Sequence, residues 1–211
     1  MVQDLRQLTP HQLDALREVA SIGAGHAATA LSQMIGETIM ISVPMINIAK
    51  LEDVPPQVAG PDEPVAAVLM QMLGDLTGRT LLVFPRRTAH RLASLLQRRP
   101  TDGPDADSKE FTEMDQSAIK EAGNILSSAY MTALSDFMGM LLLPSPPSLA
   151  VDMSDAVLTT TYLQFGTDRD LVFCVESEFL MDDTAEKLRG FFLLLPDAAS
   201  LQAILKAIHV A

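Results

Sequence analysis

The feature that most constrains this chain is an internal repeat, because two copies of one segment predict two copies of one structure. A shift of 103 positions aligns residues 9–44 with residues 112–147 without a gap. Eleven of the 36 aligned pairs are identical, whereas ordinary residue usage gives about two by chance. Farther along, residues 80–85 resemble residues 191–196. The sequence therefore predicts two similar halves related by an approximate two-fold axis.

Each half begins with a long predicted helix whose two ends are marked by residue type. A threonine precedes each helix as an N-cap, and a residue three positions later completes a capping box. A glycine ends each helix, since glycine accepts the left-handed conformation of a C-terminal cap. The predicted N-caps, capping-box partners and terminating glycines are Thr9 and Thr112, Gln12 and Asp115, and Gly36 and Gly139.

Apolar runs after each long helix predict strands, and a short helix pattern closes each half. Because short turns join most of these strands, we predict an antiparallel sheet and the α+β class. Both long helices are expected side by side on one face of a sheet that the two halves share. We predict a single domain, 1–211, with repeats at about 9–99 and 112–208. The predicted strands are 38–48, 65–73, 79–84, 148–152, 157–165, 170–180 and 190–195, and the predicted loops are 53–64 and 100–110.

Charge and hydropathy exclude several classes of function. The formal net charge is -12, from 27 acidic and 15 basic residues, so the average field repels nucleic-acid phosphates and anionic lipids. No apolar run approaches the length of a membrane span. We therefore expect a cytoplasmic protein that binds neither nucleic acid nor membrane.

Metal-binding and disulfide patterns are missing from the sequence. The single cysteine, Cys174, lies in an apolar run and is predicted to be a buried hydrophobic residue. Three acidic pairs fall in predicted turns, where solvated loops are the simpler interpretation. Four scattered histidines are predicted to be surface or capping residues. The histidines are His11, His26, His90 and His209, and the acidic pairs are Asp105/Asp107, Asp168/Asp170 and Asp182/Asp183.

Both long helices carry a polar stripe. Side chains spaced by four, three and four residues share one face of a helix. Such a stripe alone is typical of a solvated helix surface. The stripe of the second helix is Ser117, Glu121, Asn124 and Ser128, and that of the first is Asp14, Glu18, Ser21 and Gly25.

The distance from each stripe to a later proline adds information. In the second half Ser117, Glu121 and Asn124 are followed by Pro147, at the spacings that relate Asp14, Glu18 and Ser21 to Pro44 in the first half. This pattern resembles the signature of the CheC/CheX/FliY family of chemotaxis phosphatases. Residues 22–32 are also similar to the first helix of CheC members, and the resemblance covers nearly the whole chain. The first half departs from the signature, because Ser21 stands where the family has asparagine.

The resemblance implies a phosphatase that removes the phosphoryl group from an aspartate of a CheY-like response regulator. It implies catalytic roles for Glu121, which pairs with a receiver lysine, and for Asn124, which holds the attacking water. An amide suits that role because it both donates and accepts hydrogen bonds, and this hydrolysis depends mainly on positioning. Glu18 and Ser21 form a degenerate second site. Magnesium is expected from the receiver, and this chain is expected to bind no cofactor.

Other interpretations remain open at this point. Residues 23–28 match a G-x-G-x-x-A dinucleotide fingerprint, but they lie within a predicted helix instead of following a strand. Close helix packing explains their glycines better. The chain could also be a non-catalytic module that binds a phosphorylated receiver, or a regulator that binds a CheD-type partner. The intact Glu121 and Asn124 pair favours the phosphatase.

Overall fold

The order of helices and strands repeats between the two halves. The computed structural model describes residues 9–36, 38–42, 44–50, 59, 63–100, 110–165, 171–181 and 187–210. The helices described are α1 (Pro10–Ile35), α2 (Arg86–Leu96), α3 (Glu113–Met138), α4 (Ser154–Phe165) and α5 (Ala198–Val210). The strands described are β1 (Ile39–Ile41), β2 (Met45–Lys50), β3 (Pro64–Gly74), β4 (Gly78–Pro85), β5 (Leu142–Pro144), β6 (Ser148–Met153), β7 (Leu171–Met181) and β8 (Lys187–Pro196).

The strands form one sheet in which each half completes the other. The order is β1-β7-β8-β4-β3-β5, with β2 also paired to β7 and β6 to β3. The central strands β4 and β8 come from different halves, and all the described pairs are antiparallel. At the two edges, β1 and β2 of the first half pair with β7, whereas β5 and β6 of the second half pair with β3. The predicted α+β class and the shared sheet with two similar halves are confirmed.

Two equivalent serines make the same contact across the halves. The Ser42 N–H donates to the Glu178 carbonyl (2.9 Å), and the Ser42 hydroxyl accepts from the Glu178 N–H (3.3 Å). The Ser145 N–H donates to the Gln71 carbonyl (3.0 Å), and the Ser145 hydroxyl accepts from the Gln71 N–H (2.9 Å). Each serine therefore continues the ladder where its edge strand is interrupted.

The ends of the long helices follow the predicted rules. The Thr9 N–H donates to the Gln12 side chain at 2.8 Å, and the Thr112 N–H donates to Asp115 at 3.0 Å. Both threonine hydroxyls accept in return, so each helix begins with a complete capping box. Each helix ends at a left-handed glycine, with φ 82° at Gly36 and φ 62° at Gly139.

The sheet is covered on both faces. Helices α1 and α3 pack together on one face, where a Cβ atom added to Gly23 would lie 2.7 Å from the Tyr130 ring. Helix α3 touches the sheet closely, since a Cβ atom added to Gly123 would lie 2.6 Å from Val68. On the opposite face, α4 buries Val157 and Leu158 in a second core with Ala67, Leu81 and Phe191.

Several details differ from the sequence predictions. Residues 157–165 belong to helix α4 and not to a strand. Strand β6 already pairs with β3, and α4 buries the apolar side chains on the second face of the sheet. The predicted strand 38–48 is divided into β1 and β2, with Pro44, which has no N–H to donate, at the break. Strand β5 was not predicted. Most of the predicted loops 53–64 and 100–110 lies outside the described residues, and the prediction of one domain over 1–211 stays a prediction.

Three side-chain predictions can also be compared with the structure. Cys174 is buried as predicted, and burial raises the pKa of its thiol to about 12. His90 was predicted to be a surface or capping residue, but it is buried within α2 and stacks on Phe111 with 3.9 Å between ring centroids. Close helix packing was predicted to explain both Gly23 and Gly25. It explains Gly23, which packs against Tyr130, but not Gly25, which is exposed and has nothing within 4 Å of an added Cβ atom.

Two glycine substitutions test the packing of the long helices. We expect Gly123→Ala to lower the free energy of unfolding by about 1–3 kcal/mol, because the buried Val68 leaves no room for a methyl group. We expect Gly25→Ala to raise it by up to about 1 kcal/mol, because alanine favours an exposed helix more than glycine does. Urea unfolding measures both values. Equal effects of the two substitutions would contradict this packing.

Candidate functional site

The candidate site is the polar stripe on the outer face of α3. Ser117 and Glu121 are exposed, and Asn124 and Ser128 are half-buried. Within the described part of the chain, the side chains of Glu121 and Asn124 have no hydrogen-bonding or ion-pair partner. The stripe therefore presents a carboxylate and an amide, one helical turn apart, to a molecule that binds from outside.

The backbone beneath Asn124 is held against the sheet. Its neighbour Gly123 is buried and contacts Val68 of β3, which has no exposed surface. Ala122 and Leu126 are also fully buried on the same side of α3. A side chain at position 123 would clash with Val68, so the glycine lets the backbone beside Asn124 lie directly against the sheet. The sequence had not singled out Gly123, because its partner lies 55 positions away in the chain.

Asp115 fixes the beginning of α3, two residues before Ser117. Its carboxylate accepts from the Thr112 hydroxyl at 2.7 Å and from the Gln97 amide at 2.9 Å, and it forms an ion pair with Arg99. Burial alone would raise the pKa of Asp115, but the Thr112 and Gln97 hydrogen bonds and the Arg99 charge together lower it. The sequence predicted the capping role of Asp115. It did not predict the contacts of Asp115 with Gln97 and Arg99, which follow α2.

The corresponding stripe on α1 is more open. Asp14, Glu18, Ser21 and Gly25 are all exposed, and Asp14 pairs with Arg17 at 2.8 Å. The structure thus places each predicted helix set on one exposed face. The signature prolines lie elsewhere: the buried Pro44 precedes β2, and the half-buried Pro147 precedes β6.

The described residues offer neither a clustered metal site nor a membrane-spanning helix. In those residues, no group of three or more histidine, cysteine, aspartate or glutamate side chains could hold a metal ion. The three acidic pairs named above all lie outside the described ranges. No described helix is both long and apolar enough to span a membrane.

Comparison with known proteins decides the family. The model of the CheC-like family matches residues 12–48 and 114–151, which contain both stripes and both prolines. The CheY-P phosphatase CheC of Bacillus subtilis is 32% identical over 199 residues, covering 93% of each chain. This chain belongs to the CheC-like family. The other relatives of this CheC-like chain include the flagellar motor switch phosphatase FliY of Bacillus subtilis, 28% identical over 80% of this chain and 41% of that protein.

The fold of the CheC-like chain is found in solved structures. The crystal structure of Thermotoga maritima FliY matches with a TM-score of 0.78 and 24% identity, covering 97% of this chain and 98% of that one. The Helicobacter pylori FliM middle domain matches with a TM-score of 0.66 and 14% identity, covering 95% and 99% of the two chains. These matches establish a common architecture.

The Asp115 cluster leads to a prediction about pH. Asp115→Asn should lower the free energy of unfolding at pH 7 by about 1–3 kcal/mol, because the charged hydrogen bonds to Arg99 and Gln97 are weakened. The folded-state pKa of Asp115 is lowered, so its contribution is present above pH 4 and is lost as the pH falls below about 4. Urea unfolding of both proteins between pH 3 and pH 7 should show the difference shrinking. A difference that stays constant with pH would refute this role.

Proposed function

We propose that this CheC-like chain is a phosphatase that hydrolyses the aspartyl phosphate of a CheY-like response regulator. The observation that carries the proposal is the pair formed by the exposed Glu121 and the half-buried Asn124, on a helix that packs against the sheet at Gly123. The relatives named as CheY-P phosphatase and flagellar motor switch phosphatase support the same activity. The proposed setting is the cytoplasm, where response regulators act.

In the proposed reaction, α3 docks on the receiver so that Asn124 reaches the phosphoryl group. The amide orients a water molecule behind phosphorus, opposite the aspartate oxygen that leaves. The water oxygen bonds to phosphorus as the bond to the aspartate oxygen breaks, giving inorganic phosphate and a free carboxylate. Glu121 pairs with a receiver lysine and keeps the amide in place. A magnesium ion held by the receiver would neutralise charge on the phosphoryl oxygens.

The two stripes differ at the position that is Asn124 on α3 and Ser21 on α1. The Ser21 hydroxyl lies closer to its helix than an asparagine amide does, and it has a single donor hydrogen. Positioning errors near 1 Å cost on the order of 10²-fold in reactions of this kind. We therefore propose that α3 carries the hydrolysis. On α1, Glu18 still supports receiver binding. The second candidate function, binding without hydrolysis, is therefore proposed for the α1 stripe. A CheD-type protein is a proposed additional partner.

Mutation of each stripe tests the assignment. Asn124→Ala should reduce the rate of receiver dephosphorylation by on the order of 10²-fold while receiver binding persists. The matched control Ser21→Ala should change the rate less than twofold, since this hydroxyl does not hold the water. Phosphate release from a phosphorylated receiver, measured with excess magnesium, gives both rates. Loss of activity in Ser21→Ala with retention in Asn124→Ala would assign the site to α1 instead.

The source of the metal is a separate prediction. Titration calorimetry of the chain alone with magnesium should give no stoichiometric binding at micromolar concentrations, because the proposed metal ligands belong to the receiver. The receiver under the same conditions serves as the positive control. Tight one-to-one binding by the chain alone would require a different mechanism.

A further inference from the structure

The arginines of this acidic chain are concentrated on and just after α2. Residues 86–99 hold five of the 15 basic residues and no acidic residue. Residues 100–110 add Lys109 and four acidic side chains, so residues 86–110 carry a net charge of +2 while the rest of the chain carries -14. The five arginines are Arg86, Arg87, Arg91, Arg98 and Arg99.

This basic segment lies beside the beginning of α3. Gln97 and Arg99 both bind Asp115 in the first turn of α3, and His90 stacks on Phe111, which comes just before that helix. The arginines on and after α2 are exposed or half-buried, and Arg87 and Arg98 are the exposed ones. Arg98 adopts a left-handed conformation, with φ 55°, that directs the chain around the end of α2. A cleft of about 490 Å³ lined by Arg98 and Arg99 lies beside it.

The equivalent segment in the second half has no such charge. Helix α5 follows β8 as α2 follows β4, and it carries only Lys206 among lysines and arginines. Helix α5 packs against α1, whereas α2 packs mainly against α3 and also touches α1. The short helix segment of the first half, which packs mainly on the helix that retains asparagine, therefore carries more positive charge than its equivalent in the second half.

We infer that the accessible arginines of residues 86–99 form an electrostatic docking surface for the phosphorylated protein partner of α3. This inference rests on the proposed function. A chain with a net charge of -12 repels a dianionic phosphoryl group, and a local patch of opposite sign reverses that repulsion where the partner must bind. The patch guides association and has no part in the hydrolysis itself.

The expected change in association rate depends on the distance between the charges. Nine residues of helix separate Asp115 from Asn124, which is about 14 Å along the axis. One positive charge and a phosphoryl group whose charge magnesium reduces to about -1, at about this separation in water, change an encounter rate less than about twofold at low ionic strength. Neutralising two arginines should therefore lower kcat/KM about two- to threefold. Salt near 0.5 M should remove the difference, because the screening length is then below about 8 Å.

The experiment compares charge-neutral variants over a range of salt concentrations. We expect Arg87→Gln and Arg98→Gln, alone and together, to lower kcat/KM for receiver dephosphorylation at 0.01 M salt and to leave kcat unchanged. Arg98→Lys keeps the charge and should keep the wild-type value. Lys206→Gln removes one charge from the equivalent helix of the other half and should have no effect.

The outcomes separate this inference from the proposed function. A wild-type chain that does not accelerate dephosphorylation at any salt concentration overturns the proposed function. An active wild type whose salt dependence is unchanged in the double arginine variant overturns the docking surface alone. An equal loss in Lys206→Gln, or a loss in Arg98→Lys, also overturns it, because the effect would then come from total charge or from local structure.

Discussion

The architecture depends on the reciprocal pairing of edge strands between the two halves. Strands β1 and β2 of the first half pair with β7, and β5 and β6 of the second half pair with β3. Each half would therefore have an unpaired strand edge if the other half did not cover it. Unpaired edges are unfavourable because they leave rows of backbone donors and acceptors exposed to other chains. The equivalent contacts of Ser42 and Ser145 lie at these crossings. The sheet is therefore shared, and both long helices must lie on it together.

The shared sheet supports the two long helices differently. Helix α3 meets β3 directly at Gly123, whereas Gly23 of α1 meets Tyr130 of α3. A small apolar cavity of about 50 Å³ lies between α1, α3 and the strands, and its walls include Leu16 and Phe192. The asparagine stripe thus belongs to the helix that contacts the sheet more closely. A reaction that depends on positioning benefits from this direct support by the sheet.

Local features of the chain were predictable from sequence, and long-range contacts were not. The capping residues and the polar stripes follow from nearest neighbours and helical period, and the structure has them as predicted. The assignment of 157–165 to a strand was wrong because Thr159, Thr160 and Thr161 favour strands locally. Burial of Val157 and Leu158 against the sheet overrides that preference. The Gly123 contact with Val68 and the exchange of edge strands depend on residues far apart in sequence, so no local pattern could predict them.

The central claim is that one side chain distinguishes two otherwise equivalent helices. It is tested most directly by moving the asparagine from α3 to α1, with receiver dephosphorylation as the measurement. The account predicts that Asn124→Ser lowers the rate by on the order of 10²-fold and that adding Ser21→Asn to that variant restores at least part of the lost activity. Full activity in Asn124→Ser, with Ser21 unchanged, would contradict the claim that Asn124 positions the attacking water.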